Sequence, residues 1–238
     1  MSSTKSLHNK LLSAPKLKNH YYALRHGQSL ANVQKIISSD PAISTVEHGL
    51  SDVGREQVLK TAQEFAKEFH ENKCADRFRG VLVLASDFTR ARQTAAIFHE
   101  TLKEEKVPLV HLKSSEVSPE LQICLRERYF GEWNGGSDVH YHDVWKDDSN
   151  DADHTIKGVE SVNQVVTRTT NLILDIEQKL ATGEDVNDKP CKCVLVAHGD
   201  VLQILQTAFQ KVDGRLHRTL PHLETAKLRE LELNTNIN

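Results

Sequence analysis

The sequence predicts an α/β layer sandwich, helices over a mostly parallel sheet, and three observations carry that prediction. Short continuous apolar runs such as "GVLVLAS" (80–86) and "KCVLVAHG" (192–199) have the composition of strands buried on both faces. Each is followed by a segment whose apolar residues recur at helical spacing. Three of the strands end abruptly in polar residues: Arg25, His26 and Gly27 after the first, Ser86 with Arg90 one turn later after the second, His198 and Gly199 after the last. In open α/β sheets, ligands sit beyond the carboxyl ends of the strands.

The elements follow in order. Residues 1–19 carry four lysines and several serines ahead of the first acid, Asp40, and are expected to form a flexible arm. The arm resembles an organelle transit segment only weakly, because no arginine precedes Arg25. From residue 20 to 238 no Pro/Gly/Ser-rich linker divides the chain, which reads as a single domain. Tyr21 to Leu24 is the first strand. Ser51 is a good N-cap for a helix whose apolar face is Leu59, Ala62, Phe65, Ala66 and Phe69. "DFTRARQTAAIFHETLKEE" is a helix, and "LVHL" near Leu109 a further short strand. From Glu160 a stripe of Val162, Val165, Val166, Thr169, Leu172, Ile173, Ile176 and Leu180 marks a long helix that stops at Gly183. "DVLQILQTAFQKV" is the helix after the last buried strand, ended by Asp213 and Gly214. The tail "TAKLRELEL" fits an edge strand or a helix equally well.

Composition narrows the function. Charged residues are 26% of the chain and the formal net charge is −3, so nothing in the global balance points to nucleic acid or a polybasic membrane contact. Any anion site must be local. No apolar run approaches the ~18–20 residues of a membrane helix. The four cysteines, Cys74, Cys124, Cys191 and Cys193, include one C-x-C without a second pair, which argues against a disulfide or zinc framework and for a reduced, intracellular, cytoplasmic protein.

Arg25, His26, Arg90 and His198, brought to one crevice, imply an anion, since four potential cations without a partner repel one another and depress the histidine pKa values. Guanidinium forks match phosphate oxygens. A histidine held neutral beside two arginines keeps a ring nitrogen lone pair and is a competent nucleophile toward phosphorus. Phosphoryl transfer through it also needs charge stabilisation on the equatorial oxygens and a proton for the leaving group.

"LRHG" followed by Asn32, then "ASDFTRARQTA", "LRERYFGEWNG", "GVES" and "VLVAHG" stand in the order and approximate spacing of the histidine phosphatase superfamily, phosphoglycerate mutase-like branch, which this chain resembles from about Tyr21 to Gln210. The resemblance implies a three-layer α/β/α sandwich with a mostly parallel, mixed sheet, and a metal-independent phosphomonoester hydrolase acting on a small phosphorylated metabolite. It implies that His26 is phosphorylated during turnover, that Arg25, Arg90 and His198, with Gly199, form the phosphate pocket, and that Glu127 is the proton donor. Asn32 and Ser38 match positions that contact the substrate phosphate. No cofactor and no metal are implied. The oligomeric state stays open, a homodimer included.

Two positions depart from the family pattern: Gln28 stands where glutamate is common, and Asp200 follows "HG" where small residues are common, bringing a negative charge to the pocket rim. Paired arginines follow the proton-donor motif in the bisphosphoglycerate-dependent mutases, whereas the stretch here is acidic. That favours hydrolysis over mutase-type transfer. A catalytically silent phosphate-binding module is the third reading, and no catalytic residue is missing to support it.

Residues 132–158 correspond to the insertion that caps the site in this family. Within Glu132 to His154 seven acids face one lysine, Lys146, and a solvated acidic loop is an equal reading for most of them. "HYHD" (140–143) with His154 admits a metal reading that nothing else supports. His48, His70, His99, His111, His217 and His222 read as surface or boundary histidines. For Glu127, between Arg126 and Arg128, the lesser alternative is a surface ion-pair cluster.

Overall fold

The computed structural model describes residues 8–14, 16–112, 119–181 and 189–236. Six strands, β1 (His20–Arg25), β2 (Gly80–Ala85), β3 (Leu109–Val110), β4 (Glu120–Leu121), β5 (Cys191–Ala197) and β6 (Leu228–Leu231), form one sheet in the order β3-β2-β5-β1-β6, with β4 on the same edge of β2 as β3. Every pairing is parallel except that of β6 with β1.

Five longer helices are α1 (Asp52–Glu71), α2 (Thr89–Glu104), α3 (Tyr141–Asn150), α4 (Val162–Ala181) and α5 (Gly199–Gln210). Because side chains alternate along a strand, Tyr22, Leu24, Val83 and Val194 pack toward α1 and α2, while Tyr21, Ala23, Leu84 and Leu195 pack toward α4 and α5. The sheet is thus covered on both faces, as the three-layer reading requires. All six residues of β2 are buried, which is why its sequence shows no polar alternation.

Ser51 does cap α1, its hydroxyl accepting the Gly54 N–H. The apolar face of that helix is set differently from expectation, however: Leu59 is 42% exposed and Val58 takes its place in the core. Helix α5 ends not at Asp213 and Gly214 but at Lys211, which adopts left-handed backbone (φ 55°). Asp213 then caps a 3₁₀ turn, Gly214–Thr219. The ambiguous tail is the antiparallel edge strand β6. Gly183, the expected stop of α4, lies outside the described residues.

The expected free arm is packed where it is described. Leu11 is completely buried among α4 and α5, Asn9 donates from Nδ2 to the Ala208 carbonyl (3.0 Å), and Asn19 is held by Glu177 (2.8 Å) while accepting the Cys191 N–H (2.8 Å). The lysines that suggested an arm are separated by leucines that fill the seam, so segment polarity was a poor guide. The acidic segment is likewise no solvated loop throughout. It builds two 3₁₀ turns and α3, with Val144 packed against Ile37, Phe130 and Val159 in a small core of its own. Cys74, Cys124 and Cys193 are free thiols. Among the described residues no helix is long and apolar enough to cross a membrane.

Candidate active site

The register of the sheet brings the three polar strand ends level: Arg25 pairs with Ala197 and Ala85 with Val196, so His26, Ser86 and His198 emerge side by side. The His26 N–H is fixed on the Ala197 carbonyl (3.0 Å), and the Ser86 N–H on that of Val196 (3.0 Å). On the other side the Ala226 N–H is shared by the carbonyls of Arg25 (3.0 Å) and His26 (3.1 Å), so the chain that leads into β6 holds the same two residues.

Gly27 is required where α1 meets the end of β1. A Cβ there would lie 2.4 Å from the Gly54 carbonyl oxygen, and one on Gly54 would lie 2.1 Å from that of Gln28. The two glycines let α1 dock directly on the backbone that follows β1.

His26 and His198 are buried, their ring centroids 5.1 Å apart. His26 places Nδ1 2.7 Å from the Gly27 carbonyl, an acceptor only, so Nδ1 carries the proton and Nε2 the lone pair. The Arg90 Nε–H donates to His26 Nε2 (3.2 Å) and to His198 Nδ1 (3.2 Å), and His198 Nε2 in turn donates to Ser86 Oγ (2.9 Å). Burial first, then the charges of Arg90 and Arg25, hold the His26 imidazole well below its ordinary pKa, against the opposing effect of the Gly27 carbonyl. Burial and Arg90 do the same to His198. Both rings are therefore neutral at physiological pH.

The arginines are fixed from behind. Arg90 donates from Nη2 to the Ser38 carbonyl (2.8 Å). Arg25 donates from Nη1 to the Leu223 carbonyl (3.1 Å) and to His222 Nε2 (2.9 Å), while its buried Nε–H has no acceptor among the described residues. Gly199, at the uncapped N-terminus of α5, leaves room for this guanidinium: a Cβ there would stand 3.2 Å from Arg25 Cζ. A buried, orphaned N–H beside a helix N-terminus is a place for an anion.

Arg25, His26, Arg90, Asn32, Ser38, Glu127 and Gly199 line a single cavity of about 220 Å³. His198 stands behind Arg90 and does not line it. Asn32 lines the wall, but its Oδ1 accepts from Ser29 in a capping box at the short helix Leu30–Gln34. The Ser38 hydroxyl is taken up by Ser44 (2.8 Å) and His48 (2.9 Å), so Ser38 acts mainly through the carbonyl that holds Arg90. Gln28 turns to Ser51 and away from the cavity.

Glu127 is separated from both arginines that flank it. Arg126 pairs with Asp87 (2.5 Å) and Arg128 with Asp148 through two 2.7 Å bonds, whereas among the described residues Glu127 accepts only the Arg128 N–H (3.0 Å). Burial, and next the charge of Asp200, push its carboxyl up from 4.5 to about 7, although Arg90 and Arg25 pull the other way.

Behind Glu127 lies a buried cluster that sequence reasoning missed. Arg128, 0% exposed, bridges Asp148 and Asp200 (3.3 Å). Asp148 also accepts from His154 (2.7 Å), and His217 sits 3.6 Å from Asp148 and 3.7 Å from Asp200. His217, read as a boundary histidine, is 0% exposed. Asp200 accepts the Trp145 indole N–H (2.9 Å), tying α3 to the start of α5. Burial works to raise the Asp200 pKa, but His217, Arg128 and Arg218 bring it below the usual range. In "HYHD", His140 pairs with Asp143 (2.9 Å), and no group of metal-binding side chains occurs among the described residues.

Residues 21–236 match the family model described as the histidine phosphatase superfamily (branch 1). The chain is 29% identical over 194 residues to the glucosyl-3-phosphoglycerate phosphatase of Mycolicibacterium vanbaalenii, covering 78% of this chain and 72% of that protein. It is 24% identical over 200 residues to a broad-specificity phosphatase of Saccharomyces cerevisiae, covering 84% and 74%. The solved structure of a mycobacterial glucosyl-3-phosphoglycerate phosphatase in complex with VO3 superposes with a TM-score of 0.65 at 23% identity, over 89% of this chain and 92% of that one.

Proposed function

Because this chain belongs to the histidine phosphatase superfamily (branch 1) and is a phosphatase of that family, we propose that it hydrolyses small phosphomonoesters through a phosphorylated His26, with Glu127 as the acid and base. The observation that carries this reading is the tautomer of His26. Its Nδ1–H is bound to Gly27, and its Nε2 lone pair is held by an arginine N–H inside the cavity.

A phosphoryl dianion entering the cavity takes up the orphaned Arg25 Nε–H and the forks of Arg25 and Arg90, which replace its lost hydration and stabilise the equatorial oxygens. The His26 Nε2 lone pair forms the N–P bond as the ester P–O bond breaks. The departing oxygen takes the proton of Glu127, and the product alcohol leaves. Water then attacks phosphorus, giving its proton to the Glu127 carboxylate, and the N–P bond breaks to restore neutral His26 and protonated Glu127. His198, hydrogen-bonded through Ser86, orients Arg90 between the two rings. The two guanidiniums supply the charge stabilisation in this scheme, and no step calls for a metal.

Commitment of Arg126 and Arg128 to carboxylates supports hydrolysis over mutase-type transfer, which needs free cations near the acid for a second phosphate. The test is release of inorganic phosphate from an aryl phosphate in the presence of chelator. We expect turnover in the wild type and none above background in His26→Ala that retains its fold. A variant that keeps wild-type turnover would eliminate His26 as the nucleophile.

A further inference from the structure

The walls of the cavity are chemically unequal, and we infer that this enzyme selects phosphomonoesters whose leaving group is uncharged and hydroxyl-bearing, and rejects those whose leaving group carries a negative charge. This rests on the proposed phosphate site at His26. The cationic side chains that line the cavity are Arg25 and Arg90, both beside His26, and a phosphoryl dianion balances them. The remaining charged walls are the carboxylates of Asp138 and Asp200, while Glu127 holds its proton for the leaving group.

Cations further out are already committed. Arg128 is shared between Asp148 and Asp200, and Arg126 is held by Asp87. Arg218 is bonded to Gln203 and lies 3.5 Å over the Trp145 ring. None of them lines the cavity. A carboxylate or second phosphate on the leaving group would therefore face Asp138 and Asp200 with no cation on the cavity wall beyond the two that the phosphoryl group balances, an arrangement that disfavours binding.

Ionised carboxylates only accept hydrogen bonds, so the groups they do welcome are donors, and hydroxyls are donors without charge. Tyr141 and Trp145, stacked on one another with ring planes 9° apart, complete the wall with apolar surface for the carbon skeleton that bears those hydroxyls. At about 220 Å³ the cavity is smaller than the ~300–1,000 Å³ that drug-sized ligands occupy. A short polyol or a single sugar ring is the scale it admits.

Glycerol 3-phosphate and 3-phosphoglycerate form a matched pair, differing by a hydroxymethyl group against a carboxylate. We expect kcat/KM for glycerol 3-phosphate to exceed that for 3-phosphoglycerate roughly tenfold or more. Asp138→Asn and Asp200→Asn should each narrow the gap, mainly by improving 3-phosphoglycerate. Asp138 is partly exposed and outside the buried cluster, so its variant carries the test should Asp200→Asn fail to fold. A wild-type ratio near one or inverted, with aryl phosphate still hydrolysed, overturns the selectivity alone. A ratio unmoved in Asp138→Asn overturns the assignment to these carboxylates. Absence of turnover on all three esters sinks the phosphatase reading itself.

Discussion

Glu127→Gln is the substitution that most directly examines the proposed chemistry. Burial and Asp200 raise the Glu127 carboxyl from 4.5 to about 7, a change worth roughly 3 kcal/mol in favour of the neutral acid. At pH 7 a glutamic acid titrating at 4.5 would be about 0.3% protonated, whereas one titrating at about 7 is about half protonated. The site thus enlarges the competent acid population more than a hundredfold, to order of magnitude. The assay is kcat/KM against pH for an alkyl and an aryl phosphate, in wild type and variant. The substrate's own second ionisation, near ~6, affects both enzymes alike, so their ratio isolates Glu127. For the alkyl ester that ratio should be about 10²–10⁴ below pH 7 and should fall about tenfold per pH unit above it, as the acid form is lost. For the aryl ester, whose leaving group needs no proton, it should stay far smaller. Folding gives a second readout with its own sign. A carboxyl with a raised folded pKa contributes stability below 4.5 that is lost as pH rises through about 7, so the wild type should lose roughly 3 kcal/mol across that window relative to Glu127→Gln. Equal losses on both esters, or a wild-type-to-variant ratio for the alkyl ester that does not change with pH, would refute the acid role.

Two further outcomes concern the scaffold. Arg128→Ala strands Asp148 and Asp200 as buried charges and should cost about 3–5 kcal/mol in urea unfolding; a loss under about 1 kcal/mol would mean that the cluster contributes little to the fold. Leu11→Ala should cost about 2–5 kcal/mol by the same measurement, whereas a free N-terminal arm would leave the unfolding midpoint unchanged.

The sheet and its site were legible because their signals are local in sequence. A fully buried strand such as Gly80–Ala85 advertises itself by composition, and the polar residue at the end of a parallel strand has a fixed destination. That is why Arg25, His26 and Arg90 could be singled out from strand ends, whereas Glu127 came only from the family resemblance; all four line one cavity. What escaped depends on distant pairing. His217 is an ordinary histidine until Asp148 and Asp200, 69 and 17 residues away in the chain, are brought against it. Arg128 carries no mark in the sequence to distinguish it from Arg126, yet one is completely buried and the other pairs at the surface with Asp87. Leu11 failed for a related reason: four lysines dominate the character of its segment, and one leucine decides where the segment goes. The edge strand Leu228–Leu231 was ambiguous because only one of its four residues is fully buried and no turn motif announces its partner.

The pairing of β1 also has a consequence for synthesis. The strand that presents His26 emerges early from the ribosome, but its two neighbours, β5 and β6, come from the last quarter of the chain, with His20 opposite Lys192 and Tyr21 opposite Leu231. Until those strands are made, the nucleophile has neither the Ala197 carbonyl nor the Ala226 N–H to fix it. Contacts so remote in sequence fold slowly and leave open strand edges exposed meanwhile. A nascent chain halted before β5 would already carry the arginines and the nucleophilic histidine and still have no phosphate pocket, so catalytic competence should arise only with the final tens of residues.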